Sequence, residues 1–367
     1  MKIVHFSTLV SLLLDPSLGL KYETEVWQSA ILVLREAKLL ASLYHLAVKD
    51  DVFEQYPEYV RRHLYSAQVY AFRQYKQICY ESAQLQALFT SIGVDAVFLK
   101  GANYALRGSR NSYGRICADI DILIPKAELA KCESLLKQKH WQSEKISKYD
   151  EKYYRQWAHE IPPLFHPLRG TVVDIHHNIY LPVSGRSPNI ALFMQDLEIL
   201  PEGTAVLAGP QTVLHSIIHL LMNEDFSSSL RDLFDIYLLL TEYADEDFWV
   251  TLTQLAKDAG FLEEFYFCLV ALSTIFNIQY PLSVQRYMAG HKPSWLSTFW
   301  AKQVFIHAII PAHPLVSRGK QKIARGLVYL RGHWIKMPLP ILLTHFVVKA
   351  GIKAGDQIFG KHFLEPK

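Results

Sequence analysis

From Ile116 to Ile124 the chain alternates two kinds of side chain, with Ile120, Ile122 and Ile124 set against Asp119, Asp121 and Leu123. In an extended strand successive side chains leave opposite faces, so both aspartates project from one face and the isoleucines from the other. Two carboxylates so placed need either a solvated face or a cation between them. Pro125 closes the strand, and Lys126 to Lys139 reads as a helix with Leu129, Leu135 and Leu136 inward.

The neighbouring segments repeat the theme of an apolar strand carrying one polar feature. Ala96-Val-Phe-Leu-Lys100 is a short apolar run, followed by Gly101 and by Ala102 to Leu106, which can open a helix. Gly101 permits close backbone approach, and the N–H groups that start the following helix suit a phosphate. Downstream, Gly170 to Tyr180 is a third strand candidate in which Asp174 lies among Val172, Val173 and Ile175. A carboxylate there faces a burial cost unless it is paired or bound to metal, which makes Asp174 the third member of an acidic set. Hard cations such as Mg²⁺ take one or two carboxylates plus waters and substrate phosphates. Such ions can stabilise the attacking and leaving oxygens of an in-line phosphoryl displacement. His176 shares the face of Asp174 by the period of two and is expected to touch the site.

Around these strands the chain reads as helical. Thr24 to Val48 and Pro57 to Ile92 form an N-terminal lobe, with Pro57 in the first turn of the second helix and Gly93 at its exit. Val213 to Asn223, Leu230 to Tyr243, Asp247 to Ala259 and Leu262 to Phe276 are helices, and Arg231 and Asp235 are an i, i+4 pair on the second. Beyond Pro281, prolines 293, 311, 314, 338 and 340 break the pattern into short helices. The expected organisation is an N-terminal helical lobe over residues 1–93, a mixed-sheet core over 94–208, a helical lobe over 209–280 and a basic, proline-interrupted helical region over 281–367.

The 367 residues, half of them apolar, exclude a disordered chain and suit more than one lobe. Cys79, Cys117, Cys132 and Cys268 form no C-x-x-C pair, so neither a disulfide framework nor a zinc knuckle is expected and a reducing cytoplasm is the simplest setting. The start, Met1 to Leu14, has the apolar run of a signal peptide but no small-x-small cleavage site before Asp15-Pro16, and reads as a buried helix. No apolar run reaches the roughly 20 residues of a spanning helix, so no integral membrane span is expected. The net charge of +3 hides a segregation: Phe265 to Gly355 has no Asp or Glu and carries +11, leaving −8 on residues 1–264. Interleaved with Trp295, Phe299, Trp300, Tyr329, Trp334 and Phe346, this basic region suits nucleic acid, an anionic membrane surface to which the chain is peripheral, or a cap on the acidic remainder.

Phe98-Leu-Lys-Gly101, then Arg115 with Asp119-Ile-Asp-Ile-Leu-Ile124, then Val172-Val-Asp-Ile-His-His177 resemble, in that order, the signature of the uncharacterised bacterial nucleotidyltransferases of the polymerase-beta-like superfamily. The resemblance spans about Thr24 to Tyr243 and includes His219 and the Leu230-Arg-Asp-Leu-Phe-Asp235 helix. It implies an α+β fold, a small mixed sheet flanked by N-terminal and C-terminal helical lobes. It implies Mg²⁺, or Mn²⁺ in its place, on Asp119, Asp121 and Asp174, with an NTP donor and a hydroxyl acceptor on a small molecule, glycan or protein. Asp119 and Asp121 would hold the triphosphate through the metal, and Asp174 would also help deprotonate the acceptor. Lys100, Gly101, Ala102 and Arg115 would meet the phosphates. The superfamily often has Gly-Gly or Gly-Ser where this chain has Gly101-Ala102, so a hydroxyl is missing from the turn.

Each assignment has a plainer counterpart. Arg115 can serve as a structural ion pair with a carboxylate, and Lys100 as a strand-end lysine reaching solvent. His159, Glu160, His166, His176 and His177 crowd near Asp174 in sequence and can hold zinc in a hydrolase, although their spacing matches no compact zinc motif. The alternative to an enzyme is a non-catalytic nucleotide- or partner-binding module on the same fold.

Overall fold

A computed structural model describes residues 2–143, 146–243, 245–291, 293–316 and 319–359. Lys292 and Arg318 of the basic region lie outside the described residues, as does the side chain of Lys353. The chain divides into two compact units, one made of Met1–Tyr80, Lys100–Cys117 and Ala208–Tyr329, the other of Glu81–Leu99, Ala118–Leu207 and Leu330–Lys367.

The first unit is helical. It contains α1 (Phe6–Leu14), α2 (Thr24–Glu36), α3 (Leu40–Lys49), the first part of α4 (Glu58–Ser91) and α5 (Lys100–Arg107). The opening apolar run is a buried helix, as expected, with Leu9, Val10, Leu12 and Leu13 inside. The expected single helix over Thr24 to Val48 is two, because Lys38 takes a left-handed backbone (φ 59°) that an α-helix does not accommodate. Trp27 is fully buried and donates from Nε1 to the Gly19 carbonyl at 2.9 Å, so its one polar atom is satisfied inside the core.

The later helices of this unit are α9 (Gly209–Met222), α10 (Ser229–Tyr243), α11 (Glu246–Asp258) and α12 (Leu262–Phe276), all close to their expected bounds. They are followed by α13 (Leu282–Gly290), α14 (Trp295–Phe299) and α15 (Ile306–Ile309). Pro210 occupies the first turn of α9, where a missing N–H costs nothing, and Asp245 caps α11 by accepting from the Phe248 N–H at 2.7 Å.

The second unit is built on a mixed sheet of seven strands among the described residues, ordered β3-β4-β5-β2-β1-β7-β6. They are β1 (Val97–Phe98), β2 (Asp119–Leu123), β3 (Gln142–Ser143), β4 (Leu164–Phe165), β5 (Val172–His176), β6 (Leu197–Ile199) and β7 (Ala205–Leu207). Strands β2 and β5 run parallel, as do β1 and β7, and the other pairs are antiparallel. The unit also holds α6 (Leu129–Gln138), α7 (Lys148–Gln156) and α8 (Ala191–Met194), and the end of the chain adds the last part of α16 (Gln321–Lys336) and α17 (Leu339–Phe359). Ile120, Ile122, Val173 and Ile175 are fully buried, which pins the register, since a slip by one residue would turn these side chains to the opposite face.

Candidate active site

The parallel pairing of β2 and β5 matches Asp119 with Val172, Asp121 with Asp174 and Leu123 with His176. The two sequence-distant aspartates are therefore direct neighbours across the ladder, and Asp119 lies one pleat period away. Asp121 is 3% exposed, and Asp174 keeps a buried Oδ1 with no hydrogen-bond partner. Burial, then the charges of Asp121, Glu160 and Asp119, push the Asp174 carboxyl up from the ordinary carboxylate range to about 7, with His176 opposing. An unpartnered buried oxygen costs on the order of 1–3 kcal/mol unless something charged meets it. Three carboxylates converging on an oxygen of this kind fit a hard divalent cation, which takes its ligands from oxygen.

His176 is brought to the same place. Its Nε2 lies 2.9 Å from Asp121 Oδ1 and its Nδ1 lies 3.4 Å from Glu160 Oε2. The segment before β4 explains the second contact. Glu160 forms an antiparallel bridge with His176, the Ile161 N–H donates to the Ile175 carbonyl at 3.0 Å and the His177 N–H to the His159 carbonyl at 2.7 Å. One ligand atom each from His159, Glu160 and His176 falls within a mutual 4.8 Å, a set able to hold a metal through nitrogen and oxygen. Its chemistry comes from His176. Asp121 and Glu160 hold its two ring nitrogens from opposite sides, and a carboxylate on one nitrogen of an imidazole orients the other toward a metal.

His166 does not join this group. It is buried edge-on against Trp141, with ring centroids 5.5 Å apart, and burial lowers its pKa first, then Arg169. In the sequence Glu160 is only one of a cluster, and its contact with His176 depends on the bridge between two short extended segments, for which the sequence carries no local signal.

The other expected residues lie in the first unit. Lys100 opens α5 with a left-handed backbone (φ 44°), so the strained turn residue is the lysine and not the glycine after it. Gly101 answers a packing need: a Cβ there would come within 2.6 Å of both Arg115 Nη1 and Cys117 Sγ. Ala102 is fully buried. Arg115 donates from Nε to Asp235 Oδ2 at 2.7 Å and from Nη1 to Cys117 Sγ at 2.9 Å, and its guanidinium lies 5.2 Å from the Tyr104 ring centroid. Burial pushes the Asp235 carboxyl up, against the pull of Arg115 and Arg231. The expected i, i+4 ion pair of Arg231 with Asp235 is replaced by one with its neighbour: Arg231 donates to Asp232 Oδ1 at 2.6 Å, while Asp235 turns inward to Arg115.

A family model described as an uncharacterised nucleotidyltransferase matches residues 23–277, more than two thirds of the chain. No curated protein and no solved structure matches the chain significantly.

Proposed function

The chain belongs to the uncharacterised nucleotidyltransferase family, and from that membership we propose that it transfers a nucleoside monophosphate from an NTP to a hydroxyl of an acceptor at a site built on Asp119, Asp121 and Asp174. One observation carries the reading: Asp121 and Asp174 are register partners, and the buried Asp174 Oδ1 has no hydrogen-bond partner. The three carboxylates are the residues to hold Mg²⁺, or Mn²⁺ in its place. Such an ion, when bound, neutralises developing charge on the attacking and leaving oxygens.

The acceptor oxygen forms a bond to the α-phosphorus as the bond from that phosphorus to the bridging oxygen breaks, and pyrophosphate departs. The proton of the acceptor hydroxyl passes to a carboxylate, and Asp174 is the member proposed, on the family signature, to take it. His176 holds Asp121 in place through its Nε2 contact and so acts as a positioning residue. Lys100, Gly101, Ala102 and Arg115 are proposed, on the family signature, to contact the nucleotide. For Arg115 the ion pair with Asp235 supports a structural role as well. A cytoplasmic setting is proposed on the free cysteines.

Transfer of label from α-³²P-NTP into a cell extract, with Mg²⁺ or Mn²⁺ present, tests the reading. Labelled product with the native chain and none with Asp119→Ala is the expected result. Failure of every NTP to bind under any divalent-metal condition overturns it, and metal-dependent NTP binding without transfer assigns the chain to the non-catalytic alternative.

A further inference from the structure

The two C-terminal helices wear their apolar faces outward. Along α16, Ile323, Leu330 and Trp334 are 70%, 66% and 65% exposed, and with half-buried Leu327 they follow the i, i+4, i+7, i+11 spacing of one helical stripe. Ala324 and Val328, about 100° around the helix, are the buried side. Along α17, Leu339, Leu343, Phe346 and Val347 make a second stripe, exposed by 44% to 71%. Its opposite side is the one tied down, and partly by polar groups. Lys349 Nζ lies 2.5 Å from Asp150 Oδ1, His345 Nδ1 lies 3.2 Å from Tyr149 Oη, and Leu342 is buried. A helix that faces water shows the reverse arrangement.

The charges are as one-sided as the apolar residues. Phe265 to Gly355 contains no Asp or Glu. At about 100° per residue, Arg331 flanks the α16 stripe on one side and Lys322 on the other, while Lys336 falls on the far side of the helix. The helices meet at an elbow through Met337 and Pro338, bent by 116°, and no single described helix is long and apolar enough to cross a membrane. At the elbow a cavity of about 320 Å³ is lined by Ser184, Arg186, Trp334, Met337, Pro338 and Leu339.

We propose that this elbow is a docking surface for an anionic phospholipid bilayer, with Leu330 and Trp334 of α16 and the α17 stripe entering the headgroup–acyl boundary and Arg186 and Arg331 beside them meeting lipid phosphates. Charge selects this occupant. A second copy of the chain would bring like charges together, and nucleic acid offers nothing for Leu330, Leu343 and Val347 to enter. Basic flanks around an apolar stripe, with a tryptophan in it, are what an interfacial helix presents to anionic lipid. These two helices carry the proposal without help from the nucleotidyl-transfer reading.

Flotation of the full chain with vesicles tests it. Phosphatidylcholine vesicles containing phosphatidylglycerol should carry the protein upward, pure phosphatidylcholine should not, and high salt should release it. Removal of either arginine should weaken binding about fivefold. Leu330→Glu with Val347→Glu should abolish it, and since both residues are exposed the melting temperature should be unchanged. Trp334→Ala is a milder second variant, expected to weaken binding without changing the fold. Equal flotation with neutral and anionic vesicles overturns the proposal, as does flotation indifferent to these substitutions. Light scattering that shows a dimer dissociated by Leu330→Glu, without vesicle binding, overturns it in favour of a second copy.

Discussion

Asp121 and Asp174, separated by 53 positions in the chain, are Cα partners across the parallel β2–β5 ladder, and His176 reaches back over that ladder to Asp121 at 2.9 Å. The pairing concentrates negative charge where water is scarce. Stability, activity and pH response all depend on how that charge is met.

Substitution of any one of Asp119, Asp121 or Asp174 by alanine should cost nucleotidyl transfer about a thousandfold or more, since metal stabilisation of a phosphoryl displacement is worth several kcal/mol. The metal-free fold should survive. Asp174→Asn should melt higher than the native chain at pH 8 by on the order of 2 kcal/mol of stability, because it removes a buried charge that three neighbouring carboxylates oppose. Single-turnover transfer beside thermal melting separates the two effects, and an Asp174→Asn protein less stable than the native one would contradict the account.

The part of metal-free stability that depends on Asp174, read as the difference between the native chain and Asp174→Asn, should fall as pH rises from about 4 to 7. The unfolded Asp174 titrates near 3.8 and the folded one near 7, so the folded state holds the extra proton over that window. The contribution of this carboxyl is therefore fully present below the unfolded value and lost as pH climbs through the folded one. Mg²⁺ or Mn²⁺ must displace that proton, so each should raise the melting temperature more at pH 8 than at pH 6. Melting curves of both proteins over pH, with and without metal, provide the check, and a metal effect independent of pH would sink it.

The Arg115–Asp235 pair is 11% and 7% exposed at its side chains, so removal of one partner strands a buried charge. Arg115→Met or Asp235→Leu alone should destabilise the fold by about 3–5 kcal/mol, and the two together should restore much of that loss. Urea denaturation of the four proteins forms a double-mutant cycle. If Arg115 also touches the nucleotide, the restored double variant should fold and yet have lost NTP affinity.

His176→Ala should lower metal affinity about 10- to 100-fold through misplacement of Asp121, as removal of a partner behind a metal ligand does. His176→Asn, which keeps a donor in the pocket, should recover part of it. Calorimetric titration with Mn²⁺ reads both, and equal affinities in the native and alanine proteins would leave His176 a packing residue.

Lys100 is held at φ 44°, a backbone that lysine adopts at a cost. Lys100→Gly should relieve about 1 kcal/mol of strain and raise the melting temperature. If the ammonium contacts phosphate, the same variant should bind NTP more weakly, and a change in stability alone would remove Lys100 from the nucleotide set.

Periodicity made β2, β5 and the helices from Gly209 to Phe276 legible, because each is long or regular enough for its own side chains to report its form, while β1, two residues long, was marked by the apolar run and the glycine around it. The four strands β3, β4, β6 and β7 were not, since at two or three residues they are defined by partners and carry no internal period. Lys38 broke an expected helix through a backbone angle that its side chain does not announce.

The sequence by itself determined which carboxylates share a strand face and the order of the glycine turn and the strands, since these depend on the two-residue alternation and on neighbours in the chain. Tertiary structure decided the rest. It made Asp121 and Asp174 partners, turned His176 between Asp121 and Glu160, and gave Arg115 to Asp235, 120 residues away. The physical reason is that strand register and buried-charge pairing minimise exposed apolar surface and unpaired charge over the folded unit, and no local window contains those terms.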